Sequence, residues 1–416
     1  MKTTEAFRGL ECTDCGTVHD ASVAGACPDC GGATDPVYDY GSVDVEDLTE
    51  PSSAAGIWGF DALLPFDGAE AISAREGDTP LVAADRLADE LEVDSVFIKD
   101  EARNPTGTVL DRGFAVAVSG TVARAQGVGD DAGRASDDEG DVDGDEVDIE
   151  PLACASPGNA GQSMAAYAGH ADLRSYAFVP SRCAFSNKAM TNVHGGEMQV
   201  VGGRFPDAAA AVDERLSTAY TDLGAFATPY RHEGAKTLAF EVAAELGWDA
   251  PDAVVIPTST GEVVVGVAKG FRELEELGIL EETPKLVAAQ PTGCAPIAGA
   301  LEADLVSPEP VDHPDTICGE LEIPEPAGGE RAIDAVRDSS GTGVTVDDDD
   351  VLESAVAVAQ NEVLEMGAAG GAAPAGAWAL AQNDWFDEDD TVVLVNTEAG
   401  LKTPDVLRSH LMGKGI

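Results

Sequence analysis

The chain has 416 residues, and 77 Asp+Glu stand against 24 Lys+Arg, which gives a formal net charge of −53. This charge excludes a general affinity for nucleic acid phosphates or anionic membranes, because both would repel the protein. No apolar run reaches the roughly 20 residues that a membrane span needs, and the first residues lack the apolar stretch of a signal peptide. We therefore expect a cytoplasmic protein without nucleic-acid or membrane partners.

The acidic excess is spread along the whole chain, and only 8 of the 24 basic residues are Lys. Because 44% of the residues are hydrophobic, the chain can still bury a large core, which excludes wholesale disorder. Dissolved ions screen the repulsion between like charges, since the Debye length falls to about 3 Å at 1 M salt. The composition predicts a halophilic protein; an ordinary acidic protein is the alternative.

Two cysteine pairs near the start of the chain predict a metal site. Cys12 and Cys15 form one CxxC knuckle, and Cys27 and Cys30 form a second after a short loop. Each knuckle places two thiolates on one tight turn, and together they supply the four soft ligands that tetrahedral zinc prefers. A single CxxC could be a redox pair, but two at this spacing favour a structural zinc ribbon.

From about residue 80, short apolar runs alternate with helical stretches, which predicts an α/β fold with a largely parallel sheet. The predicted strands are Val96–Ile98, Leu152–Ala155, Ser175–Val179, Met198–Val201, Ala253–Ile256, Leu286–Gln290 and Val392–Asn396. The predicted helices are Phe114–Ala125, Gln162–Ala168, Asp207–Ala219, Lys236–Leu246, Val263–Leu277 and Val351–Glu365.

Several predicted strands run directly into turns rich in Gly, Ser or Thr, at 155–161, 257–261 and 396–400. Ligands of open α/β sheets collect at such carboxyl ends of strands, so these turns predict a ligand site. The segment 129–150 is strongly acidic and has no aromatic residue. It is predicted to be a solvated loop insert.

Motifs distributed over nearly the whole chain resemble threonine synthase, a family of pyridoxal-phosphate (PLP) enzymes. The resemblance begins with Lys99-Asp-Glu101 and Asn104-Pro-Thr-Gly107 and includes the cysteine knuckles that some members carry. It continues through SPGNAGQSMAAYA (156–168), PYRHEGAKTLAFEVAAELGW (229–248), GVAKGFREL (266–274), QPTGCAPI (290–297) and GLKTPD (400–405).

The resemblance implies a fold-type-II PLP enzyme architecture, with two three-layer domains of mostly parallel sheets and an N-terminal zinc ribbon. The implied domains are the ribbon at 1–36, a large domain at 37–110 and 205–416, and a small domain at 111–204. PLP is expected in the crevice between the two larger domains. Family members convert O-phosphohomoserine and water to threonine and phosphate.

The family's Schiff-base lysine follows the motif N-P-T-G in the form N-P-T-G-S-F-K-D-R-G. In this chain the corresponding stretch runs from Asn104 to Gly113, and Leu110 stands at the lysine position. Leucine has no amine, so it forms no Schiff base and transfers no proton. No catalytic residue is therefore assigned, and covalent PLP binding is in question.

The resemblance assigns the remaining cofactor contacts to five residues. Asn159 matches the Asn that contacts the ring hydroxyl, and Thr397 matches the residue that faces the ring nitrogen. Ser259, Thr260 and Gly261 form the altered phosphate loop. Two carboxylates that the family pattern lacks follow these positions. Glu262 comes directly after the phosphate loop, and Glu398 comes directly after Thr397. A carboxylate about 4 Å from a phosphate would cost on the order of 4 kcal/mol at an effective dielectric of 20.

Three functional hypotheses follow from these residues. The first is a threonine synthase-like paralogue without Schiff-base catalysis, which binds a small molecule in the crevice or associates with an active relative. The second is a working PLP enzyme that uses a different lysine or non-covalent PLP. The third is a structural or regulatory subunit whose ribbon and acidic insert mediate association. The sequence does not distinguish a homodimer from other assemblies.

The composition predicts that the fold depends on salt. In dilute buffer the unscreened repulsion of a chain with net charge −53 destabilises the compact state, so we expect loss of secondary structure on dilution from molar salt. Circular dichroism at both ionic strengths measures this, and identical spectra would refute the halophilic interpretation.

Overall fold

A computed structural model describes residues 1–23, 25–50, 56–127 and 149–413. The predicted acidic insert at 129–150 lies almost wholly outside the described residues. Strands β1–β13 are Phe7–Cys12, Val18–His19, Thr34–Tyr38, Leu81–Ala83, Ser95–Asp100, Leu152–Ala155, Ser175–Pro180, Glu197–Val201, Thr221–Asp222, Ala253–Pro257, Lys285–Pro291, Thr342–Val346 and Thr391–Asn396. Helices α1–α13 are Val45–Thr49, Asp85–Leu91, Leu110–Ala125, Asn159–His170, Phe185–Val193, Phe205–Arg215, Arg231–Glu245, Glu262–Glu276, Pro296–Glu302, Gly329–Asp338, Asp348–Asn361, Ala372–Ala381 and Pro404–Gly413.

A six-stranded sheet with the order β12-β11-β10-β13-β5-β4 forms the centre of the larger part of the molecule. All neighbours pair in parallel except β4, which is antiparallel to β5. Every residue of β10 is buried, as expected for a parallel strand covered on both faces. Helices α7, α8 and α10 pack on one face of this sheet, and α2, α11 and α12 pack on the other.

A second sheet, with the order β8-β7-β6-β9, is parallel throughout. Helices α3 and α4 share an apolar cluster with one of its faces. Helix α6 packs on the opposite face. Pro206 lies in the first turn of α6, and the Asp207 carboxylate accepts a hydrogen bond from the Arg204 backbone N–H at 2.8 Å, which fixes where that helix begins. The proposed division into domains stays a prediction.

All seven strands predicted from the sequence are confirmed, with bounds that differ by at most one residue, except that β5 extends two residues further, to Asp100. The six predicted helices are also present, but two of them end four residues earlier than expected. Helix α6 ends at Arg215 because the Leu216 backbone is extended, and α11 ends at Asn361. Sequence reasoning missed the N-terminal strands β1–β3 and the edge strands β4, β9 and β12. Most residues of β4 and β12 are only partly buried or exposed. Within the described ranges, no helix has the length and apolarity to cross a membrane.

The N-terminal sheet, with the antiparallel order β2-β1-β3, is joined to the main body by buried charges. Asp35 in β3 accepts hydrogen bonds from Lys269 at 2.8 Å, from Arg331 at 2.7 Å and from the ring of His232. Burial raises the pKa of Asp35, but Lys269 and His232 together outweigh it and leave the pKa well below its ordinary value. Because Lys269 is also buried, the N-terminal sheet supplies charge that the interior of the main body needs.

A second link between the N-terminal sheet and the main body uses Tyr38. Its hydroxyl donates to Glu233 at 2.7 Å, and the Lys236 ammonium lies 4.1 Å from the centre of its ring. Lys236 also forms ion pairs with Glu233 at 2.7 Å and Glu273 at 2.9 Å. The aromatic ring thus packs against a cation whose charge is already compensated.

Arg112, fully buried near the start of α3, holds together three elements of the main body. Its guanidinium donates twice to Glu101 at 2.7 and 2.8 Å and twice to Glu241 at 2.7 Å. Further bonds reach Thr79 at 3.1 Å and Thr237 at 3.0 Å. This bidentate pairing on both sides fixes the helix start against β5 and α7.

We expect Arg112→Ala to destabilise the protein by about 3–5 kcal/mol, because it leaves two buried carboxylates without their counter-charge. The matched control is Arg103→Ala, since Arg103 pairs with Asp100 but is 68% exposed and is worth about 0–1 kcal/mol. Denaturant unfolding in molar salt measures both variants. Equal losses for the two arginines would contradict the role given to Arg112.

Candidate ligand-binding cavity

A cavity of about 340 Å³ lies where strands of both large sheets end. Ala155 and Pro157 line it after β6, Ser259 and Thr260 after β10, and Thr397 after β13. The first residue of α3, Leu110, lines another side of the cavity. The cavity therefore occupies the position at the carboxyl ends of strands where open α/β sheets bind ligands.

Leu110 is the first residue of α3 and lines this cavity, half-buried. Its neighbours fix its position. The Val109 backbone N–H donates to the Thr397 carbonyl at 3.0 Å, and the buried Asp111 carboxylate accepts from the Thr106 backbone and hydroxyl, both at 2.7 Å. A shift of register that would bring another side chain to this point would break all these bonds.

The structure brings the predicted cofactor residues together. Asn159, Ser259, Thr260 and Thr397 all line the cavity that contains Leu110. Gly261 lies beside them as the N-cap of α8, with φ +88°, and a Cβ there would stand 2.8 Å from the Gly328 carbonyl oxygen. This glycine is required by both its conformation and its close packing. Cofactor binding by these residues stays a prediction.

The Asn159 side chain has a partner within the protein. Its amide donates to the Glu398 carboxylate at 2.6 Å. The same carboxylate accepts from the Ala369 backbone N–H at 3.1 Å, and Glu398 is fully buried. Burial raises the pKa of Glu398, which its bonds to Asn159 and Ala369 only partly offset.

A second carboxylate, that of Glu320, lies at the N-terminus of α4. It accepts from the Asn159 backbone N–H, with one oxygen at 3.2 Å and the other at 3.1 Å, and from the Asn187 amide at 3.0 Å. Burial, together with the charge of Glu398, raises the pKa of Glu320 to about 8. A Cβ on Gly158 would lie 2.3 Å from the Glu320 oxygen, so a glycine is needed for this close approach.

Arg231 is the cationic residue among the described residues that line the cavity. Its guanidinium is held by Glu262 in a buried ion pair, with distances of 2.9 and 2.6 Å, and donates to the Leu223 carbonyl at 2.9 Å. It also stacks on Phe114, 4.4 Å from the ring centre. The Glu262 side chain is therefore directed at Arg231, which explains how a carboxylate is accommodated at the first residue of α8.

The buried lysines lie outside the lining of the cavity. Among the described residues that line it there is no lysine. Lys402 lies behind the lining, where its ammonium donates to Gln162 at 2.7 Å and to Asn187 at 3.2 Å. Burial lowers the pKa of Lys402, while Glu398 and Asp111 act in the opposite direction. Lys99, Lys236 and Lys269 are bound in ion pairs elsewhere.

Sequence reasoning missed several residues of the cavity. Glu320 lies in a short helical turn, Gly319–Leu321, that belongs to no motif. Arg231 belongs to the motif at 229–248, but the residues beside it in the sequence do not indicate that it lines the cavity. The exposed mouth carries three more carboxylates that had no sequence signal. These are Asp213, Asp222 and Glu325.

The four predicted metal-ligating thiols also lie together. Cys12 and Cys30 have their sulfurs 3.4 Å apart, Cys15 and Cys27 have theirs 3.8 Å apart, and all four lie within 4.8 Å of one another. Tetrahedral zinc with Zn–S bonds of about 2.3 Å separates its sulfurs by about 3.8 Å, so the cluster is compatible with zinc. The ring of His19 lies 3.2 Å from the Cys27 sulfur.

Comparison with known families shows which family the chain belongs to. The sequence profile described as pyridoxal-phosphate dependent enzyme matches residues 72–398. The chain belongs to this family. Threonine synthase from Methanosarcina acetivorans is 30% identical over 400 residues, which are 96% of this chain and 93% of the relative. Threonine synthase from Mycobacterium tuberculosis is 31% identical over 336 residues, 80% of this chain and 84% of the relative. Within the family the chain is therefore threonine synthase-like.

Solved structures share the fold at lower sequence identity. Diaminopropionate ammonia lyase from Escherichia coli superimposes with a TM-score of 0.65 at 18% identity, covering 82% of this chain and 89% of the other. Threonine deaminase isoform 2 from Solanum lycopersicum gives 0.63 at 18% identity, covering 89% and 92%. These likenesses establish the fold-type-II α/β architecture.

PLP is the cofactor of the family. A lysine amine must reach the cofactor, and the described lining has none. The Asn159 amide, assigned to the ring hydroxyl, already donates to Glu398. The described residues therefore do not fit PLP held through a lysine.

Proposed function

We propose that this protein is a threonine synthase homologue that has lost Schiff-base catalysis and retains its cavity to bind a small molecule. The observation that carries the proposal is Leu110, an aliphatic side chain that lines the cavity at the position where the family motif has its lysine. Asp111 and Arg112 beside it keep their buried hydrogen bonds. The surrounding structure thus supports loss of one amine without loss of the fold.

A second candidate function is that of a PLP enzyme with a relocated lysine, and Lys402 is the residue that favours it. Lys402 is buried, its pKa is lowered by burial, and it shares Asn187 with Glu320. Its ammonium is, however, already bound by Gln162 and Asn187. A misplacement of about 1 Å can cost roughly 10²-fold in rate, so this candidate is the weaker one.

Treatment with PLP and borohydride distinguishes the two candidates. We expect the chain in molar salt to show no visible absorbance band of bound PLP and, after reduction, no labelled lysine peptide, because the cavity lining offers no amine. Leu110→Lys is the matched variant, in which labelling at position 110 would tie the loss to this one side chain. A labelled Lys402 in the parent chain would end the proposal and establish the second candidate.

We further propose that Cys12, Cys15, Cys27 and Cys30 hold a structural zinc ion. The mutual distances of the four sulfurs support it, as does the position of the cluster at the tip of the N-terminal sheet, where the knuckles follow β1 and precede β3. Structural zinc sites of this type use all four coordination positions for protein ligands. The ion would stabilise the N-terminal sheet and would take no part in the chemistry of the cavity.

Metal analysis tests the zinc proposal. We expect about one zinc ion per chain, lost in Cys12→Ser together with structure in the N-terminal sheet, because metal binding and folding of such modules are coupled. Cys183→Ser is the control, since this buried thiol lies outside the cluster and its loss should leave the metal content unchanged. A parent chain without bound metal, folded to the same extent, would refute the proposal.

A further inference from the structure

The cavity contains three groups that ordinarily bind an anionic ligand. The first is the backbone N–H at the start of α4, a helix of 12 residues, whose N-terminus attracts negative charge. The second is the side-chain amide of Asn159. The third is the guanidinium of Arg231, the residue type that best recognises carboxylate and phosphate groups.

A carboxylate of the protein itself occupies each of these groups. Glu320 accepts from the first N–H of α4. Glu398 accepts from the Asn159 amide at 2.6 Å. Glu262 forms the two-fold ion pair with Arg231. An anionic ligand would have to displace one of these carboxylates or lie beside it.

The charges in and behind the cavity leave a surplus of carboxylates. Asp111, Glu320 and Glu398 lie close to a single buried ammonium, that of Lys402, which is the counter-charge common to all three. Lys402 makes its hydrogen bonds to two neutral amides and to none of the three carboxylates. When these carboxylates are ionised, a positive charge brought into the cavity would balance them.

Part of the remaining lining is apolar and suits a hydrocarbon body. Leu110, Val109, Val263, Leu321 and Ile323 contribute to it. The volume of about 340 Å³ lies at the lower end of the range for small-molecule sites. In molar salt the exposed carboxylates at the mouth are screened over about 3 Å, whereas Glu320 lies deeper and is screened less.

We propose that the cavity binds a small organic cation, a primary amine on a short apolar body, with its ammonium beside Glu320. This inference rests on the proposed function only in that a small molecule occupies the cavity. It names the class of ligand by charge: the internal carboxylates reject amino-acid carboxylates and phosphates and select an ammonium. Glu320 acts as the specificity-determining residue, and Glu398 and Glu262 act as positioning residues.

Three probes with the same hydrocarbon body test the selection: hexylamine, hexanol and hexanoate. Titration calorimetry uses the full chain in molar salt, at a pH just above the pKa of Glu320. We expect hexylamine to bind at least about tenfold more tightly than hexanoate, a factor that corresponds to about 1.4 kcal/mol, with hexanol between them. Equal binding of amine and carboxylate, or no binding of hexylamine, overturns the proposal.

Variants assign the selection to this cavity. Glu320→Gln should remove the preference for hexylamine, since it deletes the charge and keeps a hydrogen-bonding group. Glu282→Gln is the charge-matched control, because Glu282 is exposed and outside the cavity lining. Leu110→Trp, which fills the cavity, should abolish binding of hexylamine and so serves if Glu320→Gln does not fold. Unchanged amine binding in either cavity variant contradicts the inference.

The outcome is independent of the PLP experiment. A labelled lysine after borohydride would refute the loss of Schiff-base catalysis and leave the charge preference of the cavity to be read from the three probes. Preferential hexanoate binding would refute the inference and leave the absence of a reactive amine intact.

Discussion

The two-sided pairing of the Arg112 guanidinium with Glu101 and Glu241 is the interaction on which the main body depends. It lies at the point where the end of β5, the start of α3 and the middle of α7 meet. A buried guanidinium with fewer partners would be strongly destabilising. Arg112 is fixed in this way and Asp111 by its bonds to Thr106, and Leu110, which precedes them, lines the cavity. The same constraint that would hold a reactive amine in place here holds Leu110.

Polar groups around the cavity are paired with carboxylates of the chain itself. A cavity that has lost its ligand but kept the ligand's hydrogen-bond donors would contain buried unsatisfied groups, which cost free energy. Here Glu262, Glu320 and Glu398 satisfy those donors from within the chain. The carboxylates therefore stabilise the cavity in its present form.

Much of the architecture follows from local sequence, because buried parallel strands are continuous apolar runs and the central strands β6, β10 and β13 have that form. The motif around Asn104 was sufficient to place Leu110, since its neighbours Asp111 and Arg112 are fixed by buried bonds. The polar interior of the cavity could not be predicted in the same way. Asn159 and Glu398 are separated by 239 positions in the chain, and Glu320 stands in a turn without periodicity. Such pairings depend on how the two sheets pack against each other, which no local pattern records.

The contacts of Asp35 have a consequence for the order in which the chain assembles. Asp35 is synthesised 234 residues before Lys269 and 296 before Arg331, both of which it binds in the finished protein. During translation, which delivers about 5–20 residues per second, the N-terminal sheet therefore waits many seconds for these partners. Its early stability has to come from its own turns and from the thiol cluster. Final docking is a late event, completed only after α10 has left the ribosome.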